Sequence, residues 1–75
     1  MTEAQAEFHK RVLALPGVVS VDVVYPREDD PECPEFVVQL RDKNAAEYVS
    51  VYLLEEEIYR KYPDALIDTD LKQGN

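Results

Sequence analysis

The sequence predicts an α+β fold: a two-layer α/β sandwich of order α-β-β-α-β, with a three-stranded mixed sheet and both helices on one face. Three observations carry this expectation. Apolar residues recur at helical spacing in two stretches, three further stretches alternate with a period of two, and Leu15-Pro16-Gly17 separates the first helix pattern from the first strand pattern. A helix has one apolar stripe and a half-buried strand one apolar face, so the two kinds of element satisfy each other as stacked layers.

Thr2 and Gln5 stand at capping-box spacing, with Glu3 and Glu7 near the positive end of the helix dipole. Phe8, Val12 and Leu15 follow at i, i+4 and i+7, which predicts a helix over residues 3–15 closed by Pro16-Gly17. A strand over 18–25 comes next. Period two places Val19, Val21, Val23 and Tyr25 on the helix-covered face and Val18, Ser20, Asp22 and Val24 on the other. Pro26 to Glu35 reads as a loop, because Pro26, Pro31 and Pro34 exclude regular structure; Glu28, Asp29, Asp30, Glu32 and Glu35 make it densely acidic.

Phe36 to Arg41 is the second strand, with Phe36, Val38 and Leu40 buried and Gln39 and Arg41 on the open face. Asn44 is a good N-cap for a second helix that ends before Pro63, with Val51, Leu54, Ile58 and Tyr62 on its core face. Ala65 to Leu71 is the last strand, and residues 72–75 form a frayed tail. A right-handed crossover sets the third strand parallel to the second. The strand order is open between 1-2-3 and 2-1-3.

With 75 residues the chain makes one domain over 1–75, with a small core and a thin stability margin that association would widen. Sixteen acidic against eight basic side chains give a net charge of −8, which disfavours nucleic acid and anionic lipid. No apolar run approaches the ~20 residues of a membrane span. One cysteine, Cys33, allows no internal disulfide and suits a reducing cytoplasm. Cys33 and His9 are the only soft metal ligands, too few for a tetrahedral zinc site within one chain.

Two groups of residues bear on function. Asp22, Asp68 and Asp70 point to the open sheet face, where strand carboxylates would hold Mg²⁺ for phosphoryl transfer. Order 2-1-3 makes them neighbours, whereas order 1-2-3 puts Asp22 about 10 Å from the other two at ~4.8 Å per strand. The second group lies on the long helix. Tyr48, Tyr52 and Tyr59 form a ridge along one side, and Val49 and Leu53 fall on the outer side with Glu56 and Arg60. One sheet cannot bury both sides of a helix, so Val49 and Leu53 are either a chance apolar patch or a contact surface. Val18, Val24, Val37 and Leu66 on the bare sheet face offer another.

The succession of a helix, Leu15-Pro16-Gly17-Val18 with Val21 and Val23, a second strand, Ala45-Ala46-Glu47-Tyr48 on a helix and Lys61-Tyr62-Pro63-Asp64-Ala65 before a last strand resembles the C-terminal cytoplasmic domain of cation diffusion facilitator transporters. The resemblance spans residues 8–71 and implies a dimerising, sometimes metal-sensing, ferredoxin-like module. The chain departs from that pattern in lacking the histidines such domains use. A fainter similarity, through Asp68 and Asp70, is to minimal nucleotidyltransferases, whose glycine-serine turn and paired acids are missing here. The expectation is a non-enzymatic protein-interaction or dimerisation module without a cofactor; the alternative is a Mg²⁺-dependent phosphoryl- or nucleotidyl-transfer enzyme or its inactive remnant.

Overall fold

A computed structural model describes residues 1–25, 33–41 and 45–73, the side chains of Ala45 and Gln73 excepted. Its elements are α1 (Glu3–Leu13), β1 (Val18–Val24), β2 (Glu35–Leu40), α2 (Ala45–Lys61) and β3 (Asp68–Gln73), the expected α-β-β-α-β order with a mixed three-stranded sheet. The residues of the acidic segment from 26 to 32, Asn44 as N-cap, and the final residues 74–75 lie outside the described residues.

The capping box forms at α1: the Thr2 hydroxyl accepts from the Gln5 N–H at 3.2 Å, and the Gln5 side chain accepts from the Thr2 N–H at 2.9 Å. The helix closes two residues earlier than the apolar spacing suggests. Leu15 precedes a proline, which disfavours the helical region for it. The N–H of Ala14 bonds to Arg11, that of Leu15 to Val12, and Gly17 turns the chain with φ of 85°.

The sheet order is β1-β2-β3, with β1 antiparallel and β3 parallel to β2. One face of β1 departs from simple alternation. Val18 opposes Leu40 and Ser20 opposes Gln39, so Val19 is the extra residue of a bulge. The bulge reverses the phase at the start of the strand: Val18, Val21 and Val23 pack towards the core, and Val19 is 62% exposed. The inward placement of Val19 and outward placement of Val18 are thereby corrected. Tyr25, also expected inside, lies past the strand and is exposed.

Both helices pack on the face of Phe36, Val38 and Leu40. Phe8 and Val12 from α1 and Val51, Leu54 and Ile58 from α2 meet them, with Phe8 and Phe36 edge to face at 5.2 Å.

The last strand starts at Asp68, three residues later than its apolar pattern suggests. Asp68 pairs with Glu35, the first residue of β2, and Pro34 before it has no N–H to extend the ladder. Side chains satisfy the approach to β3 instead. Gln5 Nε2 donates to the Leu66 carbonyl at 2.7 Å, and the Tyr59 hydroxyl bonds both the N–H and the carbonyl of Ile67 at 3.0 Å. Ala65 and Ile67 are buried all the same, since the extended chain still delivers them to the core. At its other end β3 continues through Lys72 and Gln73.

Candidate functional site

The face of the sheet turned away from the helices carries three rows of side chains. Val24, Glu35 and Asp68 form one; Asp22, Val37 and Asp70 the next; Ser20, Gln39 and Lys72 the third. The rows follow from register, because residues opposite one another share a face. Asp22 and Asp70 thus flank Val37 from the two edge strands, about 10 Å apart at two strand spacings. Asp68 and Asp70 are neighbours on β3; Asp22 does not join them. One ion cannot span that gap at the 2.0–2.6 Å bond lengths that hard cations need. Among the described residues, no group of three or more His, Cys, Asp or Glu side chains converges on a point where a metal ion would fit.

Glu35 belongs to this face and was assigned by sequence to the loop. Extending the alternation of Phe36, Val38 and Leu40 back by one residue is the signal that finds it. The face is acidic and sparsely paired. Among the described residues Asp22, Glu35 and Asp68 have no ion-pair partner, while Lys72 approaches Asp70 at 3.8 Å.

On the helices Glu7, Glu56 and Glu57 are ion-paired, whereas Glu3, Glu47 and Glu55 have no ion-pair partner among the described residues. Glu7 accepts from Lys61 at 2.9 Å and from the Tyr62 hydroxyl at 3.1 Å, and lies 3.7 Å from Arg11. Arg11 also reaches Glu57 at 2.8 Å, and Arg60 reaches Glu56 at 2.7 Å. The hydrogen bond from Lys61 holds the Glu7 carboxyl below the usual carboxylate range, and the same bond raises the Lys61 ammonium. Desolvation, then the contact with Glu7, pushes the Tyr62 phenol up. These links tie α1 to the C-terminal half of α2.

The tyrosine ridge divides. Tyr48 and Tyr59 pack against the core, and the Tyr59 hydroxyl is committed to Ile67. Tyr52 projects outward at 57% exposure. It stands beside Val49 and Leu53, at 52% and 58%, three and four residues apart on one helix face. Val49 and Leu53 lie on the outer side as helical spacing places them, and Tyr52 from the ridge joins them.

A shallow cleft of about 320 Å³ opens between the start of α1 and the Lys61–Ala65 turn. The Lys61 ammonium and Tyr62 hydroxyl on its wall are already bonded to Glu7. His9 lies against the Phe36 ring at 6.3 Å, and Cys33 is half-buried just before β2. The two are not brought together with a third soft ligand among the described residues. No helix among the described residues is long and apolar enough to cross a membrane.

Comparison with known proteins finds no matching protein-family model, no similar curated protein and no similar solved structure.

Proposed function

We propose that this chain is a small cytoplasmic interaction module, not an enzyme, that associates with a second copy of itself through the outer face of α2. The reading rests on one observation: Val49, Tyr52 and Leu53 stand exposed together on a helix whose other face is fully used by the core. Three large apolar side chains in one patch cost solvation free energy that a partner surface recovers.

Charge favours a second copy at this patch in spite of the net −8. Glu56 and Arg60 beside it are paired with each other at 2.7 Å, so the local field is weak. A two-fold axis sets the same patch against itself, which requires only self-complementarity. The small core supplies the thermodynamic motive. A metal-dependent reading has less support, because Val37 stands between Asp22 and Asp70.

Sedimentation velocity over a concentration series tests the proposal. The wild-type chain is expected to pass from monomer to dimer mass with rising concentration. Leu53→Glu, at an exposed position, is expected to keep its fold by circular dichroism and remain monomeric. A wild-type chain that stays monomeric at the highest attainable concentration, or a Leu53→Glu variant that dimerises equally well, overturns it.

A further inference from the structure

We infer that the outer edge of β3 is a strand-addition site, which takes an extended basic segment of another protein as a fourth strand. β3 is the last strand of the sheet, and among the described residues no further strand pairs with its outer side. The other edge, β1, is kinked by the bulge at Val19, which disfavours pairing there. One flank of α2 stands over the free edge, and two side chains show which. The Tyr59 hydroxyl bonds Ile67, and Glu55 Oε2 accepts from the Thr69 hydroxyl at 2.9 Å. Glu57, on the opposite flank, reaches Arg11 of α1. Helix and strand thus run side by side in opposite directions, with about 6 Å of α2 between Tyr59 and Glu55 matching about 6.6 Å of β3 between Ile67 and Thr69. One turn back on the same flank, Tyr52 falls beside Asp70 and Leu71. It is 57% exposed, and Leu71 is half-buried.

The side chains around the edge select the occupant. Register with β2 puts Asp68, Asp70 and Lys72 on the open face and Thr69 and Leu71 on the helix face. Lys72 approaches Asp70 at 3.8 Å, whereas Asp68 and Glu55 have no ion-pair partner among the described residues. In a fourth strand, about 4.8 Å away, the residue opposite Asp68 shares the open face with it, and the residue opposite Thr69 points towards Glu55. Cations at these two consecutive positions match both acids. An apolar side chain opposite Leu71 then fills the space beside Tyr52. The β3 of a second copy fits less well, since it brings one cation, Lys72, together with Asp68 and Asp70. Tyr52 borders both this site and the outer face of α2. Val49 and Leu53 lie about 60° and 100° further round the helix, so strand addition does not depend on dimerisation.

The probe is a capped peptide, Thr-Thr-Val-Thr-Arg-Lys-Thr-Thr, rich in strand formers and ordered to run antiparallel to β3. Titrated into the full chain at about 50 mM salt, where surface charges are only partly screened, it is expected to shift the backbone amides of residues 68–72 and 52–55. Two versions methylated on alternate backbone nitrogens separate strand pairing from charge, because a strand turns successive N–H groups to opposite sides. One version is expected to lose binding and the other to stay within about twofold of the parent peptide. Glu55→Gln/Asp68→Asn is expected to weaken binding about tenfold, the scale of two surface charge contacts. Glu3→Gln/Asp22→Asn changes the net charge equally at exposed positions on α1 and β1 and is expected to bind within about twofold of wild type. Equal binding of the two methylated peptides, equal weakening in both double variants, or shifts spread over the whole surface would overturn the proposal. Concentration-dependent shifts at residues 68–72 without peptide would also overturn it, by giving the edge to a second copy. Leu53→Glu is expected to bind the peptide as wild type does, so failure at α2 and failure at the edge are read separately.

Discussion

The hydroxyl of Tyr59 holds Ile67 by both of its backbone polar groups, donating to the carbonyl and accepting from the N–H, each at 3.0 Å. In effect one side chain of α2 replaces a strand partner for the residue just ahead of β3. A backbone pair buried without such a partner would be costly. The contact therefore fixes both the start of β3 and the placement of Ile67 in the core.

Tyr59→Phe keeps the ring and removes only this double bond. A loss of about 1–3 kcal/mol in urea unfolding is expected, the cost of leaving buried polar groups unsatisfied. Amide exchange at Ile67 should accelerate along with it. A variant as stable as wild type, with Ile67 exchange unchanged, would show that water serves Ile67 equally well.

The β1 bulge makes a paired prediction. Val→Thr keeps the shape and the branching at Cβ, so its cost reports mainly whether a hydroxyl is buried. Val19→Thr should change stability by less than about 0.5 kcal/mol, as exposed substitutions do. Val21→Thr, packed towards the core, should cost about 1–2 kcal/mol. Equal costs at the two positions would mean that strict alternation holds, with both side chains inside, and the bulge does not.

Gly17 has φ of 85°, and a Cβ there would also meet the carboxylate of Glu47. Gly17→Ala should cost about 1–2 kcal/mol, chiefly from the left-handed backbone. The end of a glutamate side chain moves readily, so adding Glu47→Ala should recover only a minor part. Full recovery in the double variant would reassign the penalty to the steric contact.

The Glu7 network sets a pH window. The folded-state pKa of Glu7 is depressed, so its contribution is present above the ordinary carboxylate value and is lost as pH falls through the lower folded value. That of Lys61 is raised, so its contribution is present below the ordinary lysine value and is lost as pH rises through the higher one. The difference in unfolding free energy between wild type and Glu7→Gln should be widest between these limits and should close on the acid side. Urea titrations across the acid range measure it. A difference that stays constant through the Glu7 titration would remove the ion pair as its source.

Much of the candidate surface was legible from spacing. Val49 and Leu53 fall on the outer side by the 100° rotation per residue, and no tertiary contact was needed to see that the core could not reach them; the exposure of Tyr52, a member of the flanking ridge, was not legible in the same way. Tyr48 and Tyr59 share the same arithmetic and fared differently. Helical phase gives the direction of a side chain but not whether a backbone carbonyl waits at its end, as that of Ile67 does for Tyr59. The acidic face was half legible: alternation set Asp22, Asp68 and Asp70 outward, yet which strands adjoin depends on the crossover and not on any local pattern.

The sequence by itself determined the elements, their order and which side of each is apolar, because capping, proline stops and periodicity act within a few residues of one another. Tertiary structure decided the sheet order, the bulge at Val19 and the late start of β3. Each depends on residues distant in the chain: Val37 separates Asp22 from Asp70, Leu40 and Gln39 oppose Val18 and Ser20, and Gln5 and Tyr59 bind the approach to Asp68. Register and long-range hydrogen bonds are settled when the layers close on each other, and a single strand carries no record of the neighbour it will meet.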